Sequence, residues 1–159
     1  MRNIIYILFG GLFILSSCQS GSESIELFNE RAKLPETFKF DTLGLKVMSS
    51  FFNKKSGTMS TLYANPFALS NALDGDKSHR AGEVFALVTW KQKADGNYFG
   101  ADIPGDLQSV EIIKSAIAAK NAPVSYKKYT GKNLDPAPDI PHQKERITYI
   151  FSQRPSVMP

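Results

Sequence analysis

Hydrophobic and polar residues alternate with a period of two over several stretches of this chain, and that period predicts a sheet protein. Phe38 and Phe40, then Leu45 and Val47, alternate with polar neighbours around a turn at Asp41 to Gly44. Met59, Thr61 and Tyr63 share one side of TMSTLYAN, with Ser60 and Leu62 on the other. In AGEVFALVTWKQK, Val84, Ala86, Val88 and Trp90 form one face while Phe85, Leu87, Thr89 and Lys91 form the opposite one. A strand apolar on both faces as far as Thr89 belongs in the middle of its sheet. Asp95-Gly96 signals a turn, after which NYFGADIP and QSVEIIKSA read as two strands separated at Pro104-Gly105. IIKSAIAAK also fits a helical spacing, VSYKKYTG alternates again, and NLDPAPDIP is a proline-stiffened loop. ERITYIFSQ fits either a last strand or a helix.

Two segments carry the helical period instead. Ile25, Leu27, Phe28 and Ala32 predict a short amphipathic helix with Ser24 as its N-cap, stopped by Pro35. PFALSNALDG is the clearer one: Asn65 caps it, Pro66 occupies its first position and Gly75 ends it. One internal helix among strands adjacent in sequence implies an antiparallel, mostly β domain of the α+β class.

A different pattern occupies the start of the chain. Arg2 is followed by an uncharged apolar run from Ile4 to Leu15 and then by Ser16 and Ser17, the order of a secretory signal. The run is shorter than the roughly 20 residues that span a bilayer as a helix. Leu15-Ser16-Ser17-Cys18 resembles a bacterial lipobox, and Cys18 is the only cysteine in the chain. The expected organisation is therefore a lipoprotein signal peptide over 1–17, a lipidated Cys18 with a polar tether over 18–24, and a domain over 25–159. Two or three acyl chains at about 0.8 kcal/mol per buried methylene would hold such a domain on a membrane. No aspartate directly follows Cys18, which favours the outer membrane, facing the periplasm.

Charge adds little specificity. Removing residues 1–17 takes away Arg2 and lowers the formal net charge from +4 to +3. The lysines are scattered and form no basic block, so a nucleic-acid partner is not expected of an exported chain. With a single cysteine there is no intramolecular disulfide.

In order along the chain, GTMSTLYANPFAL, AGEVFALVTWKQ, YFGADIPG, QSVEII and ERITYIFSQRPSVMP resemble the cytochrome P-460 and cytochrome c′-beta family of secreted bacterial haem proteins. The resemblance runs from about Lys55 to the end and lies in fold-framing segments rather than in a catalytic signature. It implies an antiparallel sheet with a few helices around one c-type haem, and activities such as hydroxylamine oxidation or nitric oxide binding. The family fixes its haem through a Cys-x-x-Cys-His motif near the C-terminus. This chain ends SQRPSVMP, with no cysteine or histidine after His142, so both the thioether bonds and the proximal ligand of that motif are missing.

The remaining candidate chemistry is sparse. His79 and His142 are the two histidines, and with Met48, Met59 and Met158 they are the candidate axial ligands for a haem held without covalent bonds. Their surroundings, DKSHRAG and DIPHQKER, read as polar loops, and methionines at strand spacing read as core. Asp74-Gly75-Asp76 lacks the later ligands of a calcium loop, and no Gly-x-Ser-x-Gly elbow supports an ordinary hydrolase. Trp90, Tyr98 and Phe99, with Arg80, Lys91 and Lys93 at the mouth, are the candidate lining of a small-ligand pocket. The expected function is that of a lipid-anchored binding or envelope-associated protein with no cofactor. Its alternatives are a non-covalent haem protein handling electrons or nitrogen oxides, one that partners a separate cytochrome, and a structural envelope lipoprotein.

Overall fold

The uncharged run from Val84 to Trp90 needs cover on both sides, and the fold is built around that need. The computed structural model describes residues 29–74, 80–116 and 123–156. Six strands, β1 (Lys46–Asn53), β2 (Thr58–Ala64), β3 (Val84–Ala94), β4 (Asp102–Ser115), β5 (Val124–Thr130) and β6 (Asp135–Pro136), form one sheet in sequence order. Every neighbouring pair is antiparallel. Two α-helices accompany it, α1 (Pro66–Leu73) between β2 and β3 and α2 (Gln143–Phe151) after β6. Among the described residues no helix is long and apolar enough to cross a membrane.

Each face of the sheet has its own core. On one, Leu62, Ala64, Phe85, Leu87, Ile113 and Tyr126 pack under Ala68 of α1 and Ile150 of α2. On the other, Ala86, Val88, Trp90, Leu107, Val110 and Ile112 are covered by Leu34, Phe38, Phe40 and Leu43, from the segment that precedes β1. Trp90 secures that cover, its indole N–H donating to the Ala32 carbonyl at 2.8 Å. Phe38 and Phe40 therefore do not sit in a strand as their alternation suggests. They stack across the sheet edge-on to Tyr129 and Tyr63, and Phe40–Leu43 forms a 3₁₀ turn closed by Gly44 at φ +59°.

Asn65 explains the position of α1. Its Oδ1 accepts from the Ala68 N–H at 2.9 Å and the Val84 N–H at 3.3 Å, while its Nδ2 donates to the Gly82 carbonyl at 2.9 Å. One side chain thus caps the helix and ties it to the start of β3. The helix ends at Leu73, and the expected stop at Gly75 lies outside the described residues. So do residues 24–28 of the expected first helix, and the part of IIKSAIAAK beyond Ala116; Ile112 to Ser115 of that stretch are strand.

Pro104-Gly105 does not interrupt the sheet. β4 runs through it because the register shifts between Thr89 and Trp90 and again between Trp90 and Gln92, so extra residues are absorbed as bulges. A Cβ on Gly105 would lie 2.9 Å from the Lys91 carbonyl oxygen, an approach that only glycine permits. A further bulge in β1, between Val47 and Ser49, lets the consecutive residues Met48 and Ser49 both be buried. Within the proline-rich loop, Asp135–Pro136 pairs with Tyr129 and Thr130 as β6. Of ERITYIFSQ, the part as far as Phe151 is helical, its apolar stripe of Ile147, Ile150 and Phe151 turned to the sheet.

Candidate functional site

α1 and α2 cover only part of their face. Towards the β1–β2 turn the same face becomes polar, and Ser60, Thr89 and Ser109 stand opposite one another across β2, β3 and β4. Ser60 and Thr89 share a hydroxyl–hydroxyl hydrogen bond of 2.9 Å. One step along, the register places Leu87, Glu111 and Lys128 side by side. Above this floor a cavity of about 850 Å³ opens between the sheet, the β1–β2 turn and α2. Phe51 and Tyr149 supply its aromatic wall, and Lys54, Lys128 and Arg146 its cations.

Glu111 organises the inner end. Its side chain keeps 3% of its exposure and accepts two hydrogen bonds from Arg146, Nη2 to Oε1 at 2.7 Å and Nε to Oε2 at 3.0 Å. The Tyr126 hydroxyl donates to the same Oε2. This paired, hydrogen-bonded form is the one in which a buried carboxylate is tolerated. Burial, followed by the hydrogen bond to Glu111, raises the Tyr126 phenol far above its ordinary value. The hydrogen bond to Glu111 likewise raises the Arg146 guanidinium. Both carboxylate oxygens are thus engaged in holding α2 against the sheet. Arg146 also lies 5.1 Å from the centroid of the Tyr149 ring, which in turn leans on Phe51 at 6.4 Å.

With Glu111 compensated by Arg146, the charges left facing the cavity among the described residues are those of Lys54 and Lys128. Hydroxyls, aromatic rings and two ammonium groups suit an anion with a flat apolar part. Among the described residues the lining contains neither histidine nor cysteine, and no base stands beside the serine and threonine hydroxyls.

The candidates drawn from sequence do not converge here. Trp90 is buried on the opposite face, Tyr98 and Phe99 are exposed in the β3–β4 loop, and Arg80 lies beyond the other end of β3. Lys91 and Lys93 are exposed near the loop end of β3. His142 precedes α2 in a left-handed conformation (φ +55°) and is exposed, outside the cavity lining. Met48 is buried in the core and Met59 pairs with Trp90 on the other face. His79, Met158, Gly75, Asp76 and Cys18 lie outside the described residues. Among the described residues, Tyr149 is the one common haem-iron donor in the lining, and none of them supplies the histidine ligand of the c-type haem that the family resemblance implies. Among the described residues no group of three or more histidine, cysteine or acidic side chains is placed to hold a metal ion.

Sequence reasoning missed Glu111, Arg146, Lys54 and Lys128. Glu111 had a signal: a lone carboxylate inside SVEII occupies a strand position flanked by buried apolar residues. Arg146 had none, because its partner is 35 residues away. In comparisons with known proteins, no family model and no curated protein matches this chain.

Proposed function

We propose that this chain is a lipid-anchored, exported domain of cytochrome P-460-like architecture, without covalent haem, that binds a small aromatic anion. The observation that carries the reading is the cavity of about 850 Å³, walled by Phe51 and Tyr149 and bordered by Lys54 and Lys128. Ligand pockets are commonly about 300–1,000 Å³ and combine an apolar wall with a few polar groups that orient the ligand. The meander sheet with a helix over the cavity is compatible with the proposed family architecture, and the Leu15-Ser16-Ser17-Cys18 tetrad supports export and anchoring at the outer membrane. No step of bond making is assigned to the site. Its part is reversible binding at the cell envelope.

Titration with 8-anilinonaphthalene-1-sulfonate, an aromatic anion, tests this. Saturable binding at one site is expected, weakened about tenfold or more by Lys54→Ala with Lys128→Ala, because charge-assisted hydrogen bonds are worth about 1.5–3 kcal/mol. Lys114→Ala, an exposed change at the opposite end of the sheet, should leave the affinity as it is. Binding indifferent to the two cavity lysines would overturn the assignment. Haemin mixed with the protein should leave no Soret band after gel filtration; a band at one haem per chain would favour the haem reading instead.

A further inference from the structure

Tyr98 and Phe99 are the least explained side chains of the described surface. Tyr98 is 71% and Phe99 109% exposed, adjacent at the tip of the β3–β4 loop. The loop holds them there: Asp95 N–H donates to the Ala101 carbonyl at 2.9 Å, Ala101 N–H to the Tyr98 carbonyl at 3.1 Å, and Asn97 N–H to Asp95 Oδ1 at 2.8 Å. Neither ring belongs to either core. Two adjacent aromatic side chains facing water carry a hydration cost that a membrane interface removes, since amphipathic rings favour that region.

The path of the chain decides what covers them. The first described residue, Asn29, donates its side-chain Nδ2 to the Pro104 carbonyl at 2.5 Å, and the Arg31 carbonyl accepts from Leu107 N–H at 3.1 Å. Pro104 is two residues from Asp102, where β4 meets the loop, so the chain joins the sheet within roughly 7 Å of the loop's base. The other end of β3, at Val84, is roughly 30 Å away. Eleven peptide steps separate Cys18 from Asn29, and a coil of that length spans roughly 18 Å on average, short of the distance to the far end. Lipid on Cys18 would therefore hold the tip end, rather than the α1 end, towards the bilayer.

We propose that the β3–β4 tip is a second membrane contact, in which Tyr98 and Phe99 insert among the headgroups and fix the orientation of the domain. The inference rests on the reading of Cys18 as the lipid anchor. Asp95 and Asp102 offset Lys91 and Lys93 around the loop, so the contact depends on the rings and changes little with salt.

Because Cys18 is the only cysteine, a spin label on Asn97→Cys reports the tip in the processed, anchored protein. In vesicles of phosphatidylethanolamine and phosphatidylglycerol, the label should lose most of its collisions with an aqueous nickel complex and gain collisions with oxygen. A label on Ser125→Cys, exposed at the opposite end, should stay aqueous. Adding Tyr98→Ser and Phe99→Ser to the Asn97→Cys chain should return its label to water while the protein remains on the vesicles. One spin per chain, with Asn97→Cys as aqueous as Ser125→Cys, would overturn the docking alone. Two spins per chain would mean an unmodified Cys18 thiol, overturning the anchor and the docking with it.

Discussion

At the scale of single residues, the inner end of the cavity depends on the pairing of buried Glu111 with Arg146. Glu111→Gln leaves Arg146 without its counter-charge and should cost about 2–3 kcal/mol in urea unfolding. Breaking a fully buried pair costs about 3–5 kcal/mol, and the discount follows from the 36% exposure that the Arg146 side chain keeps. The raised phenol of Tyr126 sets a pH limit. The folded chain holds this proton where the unfolded chain releases it, so the stability it contributes is complete below pH 10 and is lost as pH rises beyond that value. Urea midpoints compared at about pH 9 and about pH 11 should fall more in the parent protein than in Tyr126→Phe, which has no phenol to ionise. Gly105→Ala would press its Cβ on the Lys91 carbonyl at 2.9 Å and should cost about 1–3 kcal/mol. Apart from the lone carboxylate in SVEII, nothing in the sequence marks these three roles, because each is a contact with a residue on another element. The rings of Trp90 and Tyr98 illustrate the same point: strand alternation indicates that they alternate, but not which one a distant segment will cover.

The elements themselves are largely legible. The run from Val84 to Trp90 predicts a central strand from local pattern alone, and β3 is the third of six. Asn65-Pro66 predicts the start of α1 because a cap and a fixed φ act within one turn. Asn65→Ala should cost about 2 kcal/mol in thermal or urea unfolding, at the upper end for a cap, because the side chain also binds Gly82 and Val84. What local pattern misreads is continuity. Pro104-Gly105 looks like a break, yet β4 passes it by bulging, and the proline sits where the pairing has already slipped. Phe38 and Phe40 alternate like a strand because they must both reach one sheet face from a turn, a requirement set by the surface beneath them.

For the whole molecule, the meander leaves one face closed and the other half open, and the proposed function lies in the open half. The anchoring part of the proposal predicts that Cys18→Ser releases the protein from the membrane fraction and abolishes radioactive palmitate labelling; retention with the serine would point to an uncleaved apolar anchor. The claim that organises the rest is that the cavity beside α2 takes an aromatic anion. Its most direct test is an amide chemical-shift titration of the folded protein with 8-anilinonaphthalene-1-sulfonate. Shifts should concentrate at Ser60, Thr89, Ser109, Lys128 and Tyr149, with the Trp90 face unmoved. Shifts centred on Trp90 or on the β3–β4 loop, with the cavity residues unmoved, would contradict it.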